Sequence, residues 1–93
     1  FVLSGNEPCA RLVSRESGIA MTLATDMPAV QFYAGGATGL RLGKGGAVYG
    51  KNSGLCLETQ YYPDSPNHPE FPSALLRAGE KYYSKTSYKF LIC

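Results

Sequence analysis

The chain lacks several features that would assign it at once to a broad class of proteins. No apolar run approaches the ~20 residues that a membrane-spanning helix requires, and no stretch keeps helical periodicity for more than two turns. Charge is also scarce, since nine Lys and Arg stand against seven Asp and Glu, for a net charge of +2. So small an excess is not typical of nucleic-acid-binding or membrane-surface proteins. We therefore expect neither nucleic acid nor a membrane as a partner.

Paired cysteines are missing too. The three cysteines, Cys9, Cys56 and Cys93, are odd in number and far apart, and no CxxC motif occurs. This spacing disfavours a disulfide framework. It also disfavours zinc, whose structural ligands usually come in closely spaced pairs, and the only histidine is His68. We predict no metal site, and reduced, mostly buried thiols in a cytoplasmic protein.

The chain is short, and it does not begin with methionine. Ninety-three residues form one small domain at most, and a domain of this size buries only roughly 60–65% of the surface that its unfolded chain exposes. We treat residues 1–93 as a single unit and expect it to be a fragment or a processed product.

What the chain does contain is period-two alternation of apolar and polar residues, which is typical of half-buried strands. Four segments show β-type patterns: 9–25, which we expect to form a hairpin, 29–33, 47–49 and 82–93. These patterns predict an all-β chain. Two long irregular connections, 35–46 and 63–72, stand out in so small a domain, and loops of this length usually serve a site.

Each connection superficially resembles a known binding motif, but the residues of neither favour that interpretation. The glycine-rich stretch 39–45 is not a Walker A loop, because that motif needs GxxxxGK followed by Ser or Thr, whereas Gly45 follows Lys44. The prolines of 63–72 recur every third residue, as in a polyproline II ligand, but they stand between two strong strands. We expect a long hairpin loop in the first case. In the second we expect a rigid, extended loop with a solvent-facing His68.

Glu58 is the residue that most needs an explanation. It lies in the apolar run GLCLETQ, residues 54–60, which predicts a largely buried strand. A carboxylate there is costly unless it is paired, hydrogen-bonded or used in chemistry. Two interpretations remain open from the residues alone. Glu58 is either a structural acid satisfied by a neighbouring Arg, Lys or backbone N–H, or a general base strengthened by burial.

Alternation puts Glu58 on one face of its strand with Cys56 and Gln60, and it puts Gln31 on a polar face of another strand. Gln31 shares that face with Tyr33, while Val30 and Phe32 point the other way. If this strand neighbours the strand of Glu58, the two polar faces line one groove. Amide, carboxylate and tyrosine groups on an otherwise apolar wall suit a hydroxyl-rich ligand such as a sugar.

The run GLCLETQ and the residues that follow it resemble the C-terminal signature of the galactose mutarotase, or aldose 1-epimerase, family. The matching residues around the signature are Tyr62-Pro63-Asp64, Asn67 and Phe71-Pro72. The resemblance continues in register over nearly the whole chain, through Ser17-Gly18-Ile19, Thr25–Pro28, Val30–Tyr33, Leu75–Glu80 and Tyr88–Phe90.

This resemblance implies the C-terminal part of a large, twisted β-sandwich of antiparallel strands. It also implies an isomerase that interconverts the α and β anomers of free aldohexoses such as galactose and glucose, without a metal or organic cofactor. Glu58 occupies the position of the family's general base, and Gln31 that of a glutamine that contacts sugar hydroxyls.

The chain also differs from the family in ways that bear on its activity. Its members are several times longer, and their acid histidine lies upstream of this portion, so His68 does not correspond to it. The loop 35–46 diverges most. We therefore expect the remainder of a parent chain as a partner, and we expect the 93 residues alone to be inactive and poorly soluble, with exposed strand edges and an apolar face. Two alternatives remain: a non-catalytic sugar-binding relative, and a structural module in which Glu58 is ion-paired.

Overall fold

The computed structural model describes all 93 residues, and it contains strands, loops and two short 3-10 turns but no α-helix. The seven strands are β1 Ala10–Ser14, β2 Ile19–Thr25, β3 Ala29–Tyr33, β4 Arg41–Leu42, β5 Val48–Tyr49, β6 Cys56–Gln60 and β7 Thr86–Ile92. Every strand pair is antiparallel. The all-β prediction is confirmed. None of the helical segments is long and apolar enough to cross a membrane.

The larger sheet has the strand order β1-β2-β7. Its first two strands form the predicted hairpin, and Gly18 provides the left-handed backbone of the turn at φ +69°. The terminal strand begins at Thr86, four residues later than the sequence pattern predicts. The reason lies in its only partner, since β2 ends at Thr25, which stands opposite Thr86.

The smaller sheet pairs β3 with β6, and the N-terminus adds a short third element. Val2 bridges to Ala29, and the amino group of Phe1 donates to the Val30 carbonyl at 2.9 Å. On this sheet, alternation places Val30 and Phe32 of β3 on one face and Gln31 and Tyr33 on the other.

A chain of threonine hydroxyls links the two sheets. The Thr86 hydroxyl lies 2.9 Å from those of both Thr25 and Thr59. The core residue Leu23 is fully buried, but only seven of the 93 residues are buried in all. Most apolar side chains are therefore not covered by other residues of this chain. Ile92 is 96% exposed. The expected exposure of apolar surface is confirmed.

The first long connection contains a small hairpin that the sequence pattern shows only in part. The strand at Val48–Tyr49 is confirmed, and it pairs with Arg41–Leu42 around a turn that includes Lys44–Gly46. The Tyr49 ring lies so close over Gly43 that a Cβ there would collide with it. The expected hairpin loop is confirmed. A phosphate-binding loop of the Walker A type precedes an α-helix, and no α-helix follows this loop.

The proline-rich connection is less extended than predicted. It contains a 3-10 turn at Ser65–Asn67, which begins after Asp64 in the left-handed region at φ +60°. His68 is only half exposed, because its ring stacks on Phe71 with the centroids 4.6 Å apart. Its Nε2 lies 3.3 Å from Asp64, and its Nδ1 lies 3.1 Å from Glu70. These contacts, rather than a polyproline repeat, shape the loop.

Candidate active site

Gln31 and Glu58 are direct partners across the β3–β6 ladder. Side chains at directly opposed positions of an antiparallel pair leave the sheet on the same face, with Cβ atoms about 4.5–5.5 Å apart. The two polar strand faces found in the sequence are therefore neighbours. A ligand of the size of one sugar can contact the amide and the carboxylate together.

Glu58 is exposed, and within these residues its carboxylate makes neither an ion pair nor a side-chain hydrogen bond. The prediction of a largely buried strand is thus wrong for this chain. The physical reason is that nothing covers the sheet face at Glu58 itself, whereas the neighbouring residues contact the larger sheet through the Thr59 hydroxyl and the Leu57 carbonyl. The oxygens of Glu58 are free to accept protons or hydrogen bonds from a ligand.

The amide of Gln31 is nearly free as well. Its Nε2 donates a long hydrogen bond of 3.4 Å to the Phe32 carbonyl, and Gln31 makes no other side-chain contact of this kind. One N–H and the Oε1 atom remain for a ligand. An amide with both a donor and an acceptor available beside an acceptor-only carboxylate is well suited to bind vicinal hydroxyl groups.

The face that carries this pair is closed at one end and open at the other. At the closed end stands the pair Ala29 and Gln60, of which Ala29 is 4% exposed. At the open end stand Tyr33 and Cys56, which border a cavity of about 270 Å³. Its lining residues are Tyr33, Gly35, Thr38, Tyr49, Ser53, Gly54, Leu55 and Cys56. The sequence did not point to Thr38 or Ser53, because they lie on loops with no period of their own, or to Tyr49, because its two-residue strand is too short to show which face its side chain occupies.

The loop beside Tyr33 is locked onto the turn that precedes β6. Gly35 has φ +71°, and a Cβ there would collide with the Gly54 carbonyl oxygen. The backbone N–H of Asn52 donates to the Gly35 carbonyl at 3.0 Å, and its side-chain amide donates to the Ala34 carbonyl at 2.7 Å. These contacts hold the ends of β3 and β6 in register at the site.

The remaining chemically active side chains do not join this site. His68 lines a separate cavity of about 490 Å³ in the proline-rich connection. No cluster of three or more His, Cys, Asp or Glu side chains is arranged to hold a metal ion. The three thiols are unbonded, but the prediction that they are mostly buried is wrong: Cys56 and Cys93 are exposed, because one lies on the uncovered sheet face and the other ends the edge strand β7.

The family model for aldose 1-epimerase matches residues 1–89, which include both strands of the site and all the loops around it. The chain belongs to the aldose 1-epimerase family. Its similarity to the family covers the Gln31–Glu58 pair and the cavity beside it in one continuous match.

Similar proteins from mammals and bacteria also carry the family's names. The chain is 47% identical to the galactose mutarotase of Homo sapiens over 99% of its own length, and 53% identical to that of Mus musculus over 90%. It is 39% identical to the aldose 1-epimerase of Escherichia coli over 94%. A crystal structure of the GalM/aldose epimerase homologue from C. elegans matches 98% of the chain with a TM-score of 0.82 and 31% identity.

All these matches cover only part of the other protein. The chain spans about a quarter of the length of these relatives, from 25% of the mouse protein to 28% of the human protein and of the nematode structure. Its antiparallel strands and their connections therefore have the fold of one portion of an aldose 1-epimerase.

Proposed function

We propose that these residues carry the base-bearing part of an aldose 1-epimerase that interconverts the α and β anomers of free aldohexoses such as galactose and glucose. The observation that supports this most is the direct opposition of Gln31 and Glu58 on an uncovered sheet face. A free carboxylate and a free amide side by side on one face would suit a single sugar ring, which supports the proposal. Family membership supports the same reaction.

In the proposed reaction Glu58 removes the proton of the anomeric hydroxyl. The C1–O1 bond gains double-bond character, the bond from C1 to the ring oxygen breaks, and an acid elsewhere in the family's fold protonates that oxygen. The resulting aldehyde rotates about its bond to C2. Attack of the same oxygen on the other face of C1 closes the ring, and both protons return. The anomeric configuration is inverted, with no net change in atoms or electrons.

Gln31 holds the sugar in place during these steps. Its free N–H and Oε1 hydrogen-bond hydroxyls of the ring while Glu58 acts at the anomeric oxygen. Correct placement of a reacting group accounts for a large part of enzymatic rate enhancement. We infer a cytoplasmic enzyme, since its three cysteines are unbonded. The rest of the parent chain supplies the acid.

Polarimetry of the full-length protein tests the proposal. The wild type should equilibrate freshly dissolved α-D-galactose faster than buffer does, and Glu58→Gln should lose this activity by a factor on the order of 100 to 10,000, the usual contribution of a general base. Glu16→Gln, in the exposed β1–β2 turn, is the matched control and should keep wild-type activity. Sugar binding without turnover in the wild type would instead support the non-catalytic relative.

A further inference from the structure

The cavity of about 270 Å³ beyond Tyr33 and Cys56 has no part in the proton transfers. We propose that it binds the exocyclic hydroxymethyl group at carbon 6 of a hexose, with Tyr33 as the hydrogen-bond donor and Tyr49 as the aromatic wall. The cavity would then select hexoses over sugars that lack this group. This inference rests on the proposed function, since it places the anomeric carbon at Glu58.

The first support is the shape of the sheet face. A sugar with its anomeric hydroxyl at Glu58 meets the covered end at Ala29 in one direction and the open end at Tyr33 in the other. Two residues along an antiparallel strand span about 7 Å, which is comparable with the width of a pyranose ring. With C5 on the side of Tyr33, the hydroxymethyl group that C5 carries extends beyond the ring to the mouth of the cavity.

The second support is a pair of hydroxyl groups that the backbone has already oriented. The Tyr33 hydroxyl accepts a hydrogen bond of 3.0 Å from the Ala37 N–H. The Ser53 hydroxyl accepts one of 2.8 Å from the Gly50 N–H. Each hydroxyl has one proton to donate. Because a backbone N–H occupies one acceptor position of each hydroxyl, that proton is left for other partners, and both residues line the cavity.

The third support is the aromatic surface around these donors. Tyr33 and Tyr49 are 39% and 43% exposed, so each offers part of its ring to a ligand. The Tyr49 ring is held in place over Gly43, where no Cβ could fit. A hydroxymethyl group pairs an apolar CH₂ with one oxygen. It matches a site in which tyrosine rings stand beside hydroxyl donors.

Three sugars that differ only at carbon 6 test the proposal in the full-length protein: D-galactose, 6-deoxy-D-galactose and L-arabinose. Tyr33→Phe removes one hydroxyl and keeps the ring. It should lower kcat/KM for D-galactose about fivefold, as expected for one hydrogen bond, and leave kcat/KM for 6-deoxy-D-galactose unchanged. Tyr49→Ala should lower kcat/KM for both of these sugars and spare L-arabinose. Tyr83→Phe, 80% exposed and outside the cavity, is the matched control.

Equal losses for all three sugars in Tyr33→Phe would overturn the proposal, since the hydroxyl would then act on the fold of the site and not on carbon 6. If the wild type turned over none of them, the proposed function itself would fail. In that case, calorimetry would still test the carbon-6 subsite by comparing the binding of D-galactose and 6-deoxy-D-galactose. If the wild type binds D-galactose more tightly and Tyr33→Phe loses this preference, the subsite is supported. Equal affinities of the wild type for the two sugars would overturn it.

Discussion

Gln31 stands directly opposite Glu58 because β3 and β6 pair in antiparallel register from Ala29–Gln60 to Tyr33–Cys56. A shift of this register by a single residue would turn the amide and the carboxylate to opposite faces of the sheet. The site therefore depends on what holds the register, which is the close contact between the loop after β3 and the turn before β6. Gly35 lies at the centre of that contact.

Substitution of Gly35 by alanine should destabilise the protein and impair the site together. The residue has φ +71° and its Cβ would collide with the Gly54 carbonyl, so we expect a loss of about 2–4 kcal/mol in the free energy of unfolding, from a strained backbone and a steric clash. Gly36→Ala is the matched control, because nothing lies within 4 Å of a Cβ there. Urea denaturation of both variants measures the difference, and equal stabilities would contradict the register argument.

Glu58→Gln should have little effect on stability, in contrast to its effect on turnover. The carboxylate is exposed and has no partner among these residues, so we expect a change within about 0.5 kcal/mol, as at ordinary surface positions. Thermal unfolding of the full-length protein checks this. A loss of about 3–5 kcal/mol, the cost of breaking a buried ion pair, would indicate a structural acid instead of a base.

Thr86→Val should weaken the contact between the two sheets. The variant keeps the shape of the side chain but loses two hydrogen bonds of 2.9 Å, to Thr25 and Thr59. We expect a loss of about 1–3 kcal/mol in the free energy of unfolding, since each hydrogen bond contributes about 0.5–1.5 kcal/mol. Thr86→Ser keeps the hydroxyl and should retain most of that stability. A valine variant as stable as the wild type would show that the Thr86 hydroxyl does not hold the sheets together.

Asp26→Ala should loosen the start of β7. Both carboxylate oxygens of Asp26 accept hydrogen bonds of 3.0 Å from the Lys85 N–H, just beyond the last pair of the β2–β7 ladder. Charge-assisted bonds of this kind contribute about 1.5–3 kcal/mol. Amide hydrogen exchange at Lys85 and Ser87 should become faster, while exchange in β3 stays the same. Unchanged protection at Lys85 would show that the backbone ladder alone holds this end.

The 93 residues expressed alone should show no mutarotation that depends on Glu58. Their only histidine, His68, is engaged by Asp64 and Glu70 in another cavity, so no acid stands beside the proposed base. Their exposed apolar side chains, such as Phe90 and Ile92, should also bind a hydrophobic dye and promote aggregation. Polarimetry and dye fluorescence measure the two effects. Glu58-dependent turnover by this chain would contradict the expectation.

Much of the local structure could be predicted from residue patterns. The hairpin 9–25 and strand 29–33 follow from period-two alternation and from the glycine and proline that bound them. The β4 strand could not, because a two-residue ladder has too few positions to show a period. The burial of Glu58 was wrongly predicted for a related reason: an apolar run shows that a strand has a face to cover, but not whether another element covers it.

By itself the sequence determined that the chain is all-β and that Gln31 and Glu58 each lie on a polar strand face, and it showed a resemblance to a family signature around Glu58. These properties follow from local alternation and residue identity. Only the tertiary structure decided that the two residues face each other, that Ala29 closes one end of their sheet face, and that Tyr33 and Tyr49 border a cavity at the other. Strand pairing joins segments that are distant along the chain, and no local pattern specifies which pairs form or in which register.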